Sequence, residues 1–286
     1  MFRTLSPLRS AAAFYLLAFA MVVVVALTGG TTAAAMLTPA VATVVILLLI
    51  TRQGWTRPGW ASLGLHRLGL RTWPVAIGLP LLIVAVGAAL VVATDAASWQ
   101  SPGQATNYPA WTLPAFLLAN IAYASITVSL SEEIGWRGYL LPRLTTLGVR
   151  RALLLSGLLH GIWHLPVMLL TSLYHPVGSR LVVVPMFLLA ATALGVFYGW
   201  LRLRTDSVWP AVLAHSAHNV GVAWMSSLVV GNAVVIQYIA GEGAVTTAAY
   251  VAIAAVLLIR GNGPRSRVAS DPSRTPDVTQ PVHAAR

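Results

Sequence analysis

Glu132 and Glu133, with Arg137 four residues after the second, interrupt a stretch of chain that is otherwise strongly apolar. His160 and His164 interrupt a second such stretch, and His215, His218 and Asn219 a third. An ionisable side chain at the bilayer centre costs roughly 2.5 to 3.5 kcal/mol on insertion scales, so several on separate hydrophobic segments imply a polar site inside a membrane. Carboxylate, imidazole and amide are also a chemically useful set. A general base, a second group to hold water and two hydrogen-bond donors for a developing oxyanion are what hydrolysis of a peptide bond by activated water requires.

The spacings sort these residues. Neighbours on a helix point about 100° apart, so Glu132 and Glu133 cannot serve one point equally. Glu133 and Arg137 stand at i,i+4 with the acid first, the favourable order for an ion pair. That pairing leaves Glu132 to face another helix. His160 and His164 share one helical face, and either can meet Glu132. His215 and Asn219 are again four apart and can donate to one point. His218 lies on a rotated face.

The elements that must position these groups are membrane spans. Hydrophobic residues make up 57% of the 286 positions and charged residues 9%, against about 25% charged in a soluble domain. Mean hydropathy is +0.78. The sequence predicts an all-α polytopic bundle of about eight spans, near 11–27, 33–50, 74–94, 112–131, 152–173, 181–201, 208–230 and 244–259, each close to the ~20 residues a spanning helix needs. Arginines test that count, because cytoplasmic loops carry the basic excess. Seventeen of the eighteen fall on one side of the alternating spans and only Arg180 on the other. An even number of spans follows, with N-terminus and C-terminus cytoplasmic and a multi-pass location in the inner (plasma) membrane.

The net charge of +11 does not indicate nucleic acid, since the arginines sit in loops between apolar runs and form no single basic face. Every basic residue is arginine, alanine is abundant and cysteine is absent. The arginine and alanine suit a GC-rich bacterial genome; the lack of cysteine excludes disulfides and thiolate catalysis. The apolar run of the first span exceeds the ~7 to 15 residues of a signal-peptide core, so it reads as a retained span. Residues 51–73, with Trp55, Trp60 and Trp73 among arginines, read as an interfacial segment. One membrane domain is expected over 1–260, with the reactive core near 112–230, and a disordered cytoplasmic tail over 261–286.

Taken in order, Glu132-Glu133-Ile134-Gly135-Trp136-Arg137, then His164 in Gly161-Ile162-Trp163-His164-Leu165-Pro166, then His215-Ser216-Ala217-His218-Asn219, resemble the three signature motifs of the CAAX protease and bacteriocin-processing family. That family is similar to the type II CAAX prenyl endopeptidases. The resemblance covers residues 112–220 and implies an intramembrane endopeptidase. It implies that Glu132 and His164 activate water and that His215 and Asn219 stabilise the oxyanion; Glu133 and Arg137 match the remaining motif positions and keep the supporting role read from their spacing. The chain departs from the pattern at His160, where the family usually has phenylalanine.

Cofactor use stays open at this stage. Glu132, His164 and His215 match a His₂Glu zinc set with an open water position, while a metal-free glutamate mechanism uses the same residues and is preferred. The expected partners are a peptide or protein substrate and membrane lipid, with no nucleic acid. Two other classes fit parts of the pattern. A proton-coupled transporter also places Glu and His in a membrane, though no internal repeat is visible. A non-catalytic immunity or scaffold protein of the same fold would not need Glu132.

Overall fold

The computed structural model describes residues 5–101, 109–174 and 177–260. The tail expected from Gly261 onward therefore lies outside the described residues. The chain forms an all-α bundle: α1 (Pro7–Leu27), α2 (Thr32–Ile50), the short α3 (Arg57–Ala61), α4 (Trp73–Val92), α5 (Ala110–Leu147), α6 (Val149–Leu170), α7 (Arg180–Thr205), α8 (Trp209–Leu228), the short α9 (Ala233–Ile239) and α10 (Ala244–Arg260).

A helix occupies each of the eight apolar runs. Seven stretches of the described residues are long and apolar enough to cross a membrane: α1, α2, the stretch containing α4, α5, α6, α7, and the stretch Ala233–Arg260 that joins α9 to α10. The helix outside this set is α8. It is 20 residues long, but His215, Ser216, His218, Asn219, Ser226 and Ser227 dilute its apolar character.

Burial runs opposite to that of a water-soluble fold. Leu181 is 88% exposed, whereas Glu133 and Arg137 are 0% exposed. Charged groups are almost never fully buried in water unless paired, and a leucine-rich exterior is what a lipid solvent requires. This is a multi-pass membrane protein.

Local sequence sets the helix starts. Ser6 accepts a hydrogen bond from the Arg9 amide and Pro7 opens α1. Thr31 caps α2 in the same way through the Ala34 amide, and Pro210 sits in the first turn of α8. At each of these three starts an orphan amide of the helix is satisfied or removed. Packing between α6 and α7 depends on small residues. A Cβ on Gly195 would lie 2.3 Å from the Gly157 Cα, and one on Gly157 would lie 2.5 Å from the Thr192 carbonyl oxygen. Two backbones approach this closely only with glycine at the crossing, the usual device of membrane helices.

Apart from the start of α7 at Arg180, the arginine-bearing ends of the helices gather at one end of the bundle. Arg143 donates to the Gln53 side chain, Arg202 to the Ser62 carbonyl and Arg150 to the Ile259 carbonyl. The three tryptophans of residues 51–73 donate their indole N–H groups to nearby carbonyls, those of Leu48, Gly54 and Leu68, and Trp55 leaves 73% of its surface exposed. At the opposite end lies a feature that hydropathy did not foresee. Two three-residue strands, β1 (Ala97–Trp99) and β2 (Val229–Gly231), pair antiparallel with Ala97 opposite Gly231. They tie the end of α4 to the end of α8.

Candidate active site

The segment bearing the two glutamates is not regular α-helix. Within α5, π-helical turns at Ser125–Ser129 and Ile134–Leu140 flank the α-helical Leu130–Glu133. Such wide turns re-aim side chains and recur at functional sites. Gly135 allows the second turn to press against α1 and α2, since a Cβ there would lie 2.6 Å from the Pro39 side chain.

The two carboxylates diverge as their 100° separation requires. Glu132 turns to α6: its Oε2 lies 2.9 Å from His160 Nε2 and 3.9 Å from His164 Nε2. Glu133 turns to its own helix and to α8. Its Oε1 accepts from Arg137 Nη1 and from His215 Nδ1, both at 2.9 Å. All six of these side chains are buried.

Donor and acceptor rules fix the protons. Arginine offers no acceptor, so His160 Nδ1, 3.2 Å from Arg137 Nη1, receives that hydrogen bond. His160 therefore carries its proton on Nε2 and donates it to Glu132. His215 donates from Nδ1 to Glu133, because an ionised carboxylate only accepts. Aromatic rings hold these imidazoles in place. Trp136 stacks on His160 at 5.0 Å, Tyr198 on His215 at 5.6 Å and Tyr174 on His164 at 5.1 Å between centroids.

Glu132, His160, His164, His215, His218 and Asn219 line one cavity of about 160 Å³. Glu133 and Arg137 are not on its wall and reach it through His215 and His160. Asn219 is exposed at the cavity, and none of the described residues hydrogen-bonds its amide. Two lining residues carried no signal in the sequence: Tyr174, past the end of α6, and Glu242, ahead of α10. They hydrogen-bond each other at 3.0 Å, and His218 Nε2 lies 3.9 Å from Glu242. Thr32 lines the cavity too. Thr32, Tyr174 and Glu242 all belong to the arginine-poor end, so the cavity extends toward that end of the bundle.

The donor set that a metal would find differs from the expected Glu132, His164 and His215. The atoms lying within 4.8 Å of one another belong to Glu132, His160 and His164. His215 is drawn off by its hydrogen bond to Glu133, whose side chain diverges from that of Glu132. The buried trio could hold a divalent ion by distance, yet His160 suits it poorly. A ligating imidazole normally donates its second N–H to an acceptor, and here that nitrogen faces a guanidinium.

Comparison with known proteins agrees with the motifs. Residues 114–221 match the family described as type II CAAX prenyl endopeptidase Rce1-like. No curated protein matches the chain.

Proposed function

We propose that the protein is an intramembrane endopeptidase in which Glu132 activates water against a peptide carbonyl held in the α5, α6 and α8 cavity. The carrying observation is the pair of distances from Glu132 Oε2, 2.9 Å to His160 and 3.9 Å to His164. A water oxygen at the ordinary ~2.8 Å from both Glu132 and His164 fits that 3.9 Å separation. His160, donating from its other side, keeps the carboxylate aimed. Glu132 takes the water proton as hydroxide attacks the carbonyl, and passes it to the leaving amine as the tetrahedral intermediate collapses.

The oxyanion falls to His215 and Asn219. With His215 Nδ1–H given to Glu133, its Nε2 donates only when the ring holds both protons. The buried charges allow that form: Glu132 and Glu133 are then balanced by Arg137 and His215. Glu133 thus orients His215 as a buried carboxylate orients the histidine of a hydrolytic triad. Asn219 adds a neutral donor four residues along the same helix. No step in this scheme calls on a metal.

The family description names prenyl endopeptidases, and the substrate proposed for this chain is a peptide segment of a protein delivered through the membrane. The arginine distribution supports cytoplasmic termini in an inner plasma membrane. Purified protein in detergent or proteoliposomes, assayed for peptide release from a substrate library beside Glu132→Gln, tests the reading. Loss of all cleavage in a folded Glu132→Gln supports it; unchanged cleavage by that variant overturns it. Substrate flux with no peptide release would support the transporter reading.

A further inference from the structure

A second cavity, of about 350 Å³, lies at the arginine-rich end, well away from the glutamates. Its walls come from the start of α6 and the last turns of α7 and α10. Arg150 and Arg151 form one side; Trp200, Leu203, Leu257 and Leu258 form the other. Both arginines are exposed. Arg150 donates to the Ile259 carbonyl at 3.4 Å, and Arg151 has no hydrogen-bond or ion-pair partner among the described residues. Arg204 stands 5.4 Å from the centre of the Trp200 ring, and Arg260 is the last residue of α10.

Among the described residues no carboxylate answers this charge. The described acidic residues are Asp95, Glu132, Glu133, Asp206 and Glu242; of these only Asp206 lies at this end, and it is paired with Arg202 at 2.9 Å. Among the described residues the basic rim has no protein counter-ion, while the wall beneath it is leucine and tryptophan. A ligand that satisfies both must carry an anionic group joined to a hydrocarbon chain. Free phosphate would neutralise the rim and leave the leucines unoccupied. A neutral lipid would cover the leucines and leave the arginines without a counter-charge.

We infer that this cleft between α6, α7 and α10 is a binding site for one anionic phospholipid, its phosphate between Arg150 and Arg151 and an acyl chain against Leu203, Leu257 and Leu258. The lipid bridges the first turn of α6 to the last turn of α10, and so braces the helix that carries His160 and His164. Basic residues near an anionic membrane surface contribute about 1 kcal/mol each, so loss of two corresponds to roughly 30-fold weaker retention.

The test uses full-length protein in nanodiscs of phosphatidylcholine with a minor fraction of phosphatidylglycerol, with retained lipid counted by native mass spectrometry. Wild type should keep one phosphatidylglycerol in preference to phosphatidylcholine. The double variant Arg150→Gln/Arg151→Gln should lose that preference roughly 30-fold. Leu203→Trp, which fills the apolar wall and keeps the charge, should also reduce retention. It carries the test alone if the double variant does not fold. Glycerol 3-phosphate should not displace the lipid. Equal retention by wild type and both variants, or phosphatidylcholine held as well as phosphatidylglycerol, overturns the site; full displacement by glycerol 3-phosphate makes it an anion site only, which also overturns the proposal.

Discussion

His160 Nδ1 lies 3.2 Å from the Arg137 guanidinium while its Nε2 lies 2.9 Å from Glu132, so one imidazole couples a fixed cation on α5 to the carboxylate proposed as the base. Phenylalanine, the residue the motif usually carries here, could fill the same space beside Trp136 but could donate nothing. His160→Phe should therefore leave a folded protein whose turnover is lower by about 10- to 100-fold, the equivalent of the ~1.5 to 3 kcal/mol of a hydrogen bond to a charged group. Its KM should move little, because His160 positions Glu132 and need not touch substrate. Steady-state kinetics check this; a rise in KM at constant kcat would make His160 a substrate-binding residue instead.

Glu132 and Glu133 should fail in different ways. Glu132→Gln keeps the size of the side chain and removes its ability to take a proton, so cleavage should vanish while the thermal midpoint holds. Glu133→Gln leaves Arg137 and His215 buried against a neutral amide, and breaking a buried pair of this kind costs about 3 to 5 kcal/mol. Thermal melts beside cleavage assays separate the two outcomes. Equal loss of stability in both variants would remove the distinction drawn between them.

Much of this arrangement was legible because it is local. The i,i+4 spacing of Glu133 and Arg137 gave their pair, and the 100° turn gave the divergence of the two glutamates. Which histidine Glu132 meets was not legible, since it depends on the rotation of α6 about its axis, set by contacts such as Gly157 with Gly195. Hydropathy located the eight helices but passed over the β1 and β2 pairing, whose three-residue strands lie between apolar runs. Tyr174 and Glu242 stood outside any motif because they lie in loops that only the closed bundle brings to the cavity. The π turns of α5 have no spacing signature at all.

The Gly157–Gly195 contact predicts a remote route to inactivation. Gly195→Ala places a Cβ 2.3 Å from the Gly157 Cα and 3.1 Å from Arg137 Nη2, so α6 and α7 must separate. Overpacking of this kind typically costs about 1 to 3 kcal/mol. Because α6 carries His160 and His164, cleavage should fall further than the stability loss explains. Gly148→Ala is no control, since that glycine has φ +92°, but Gly78→Ala is: a Cβ at Gly78 meets nothing within 4 Å. Full activity in Gly195→Ala would show that the helix crossing does not hold the site.

Access to the cavity can be mapped directly, because the chain contains no cysteine. Thr32 lines the cavity at the arginine-poor end and Arg151 marks the other. Single cysteines from Thr32→Cys and Arg151→Cys should react with an impermeant maleimide added to opposite sides of a sealed vesicle. Labelling of both from one side would contradict the alternating topology.

Asn219 allows the oxyanion assignment and the metal question to be settled together. An amide is a weak zinc ligand, since zinc sites use His, Cys and carboxylates, so on any mechanism its task at the cavity is to donate a hydrogen bond. Loss of one oxyanion donor typically lowers turnover ~100- to 1,000-fold with a smaller effect on binding. Asn219→Ala should fall in that range, and His215→Ala should match it if His215 only donates. Metal content measured in the same preparations gives the second reading. The expected result is a wild-type enzyme that keeps full activity after chelation. Stoichiometric metal that is kept in Asn219→Ala, lost in His164→Ala and required for activity would replace the glutamate mechanism with a metal-assisted one. It would also require His160 to release Arg137, which the His160→Phe variant would then report as a change in metal affinity.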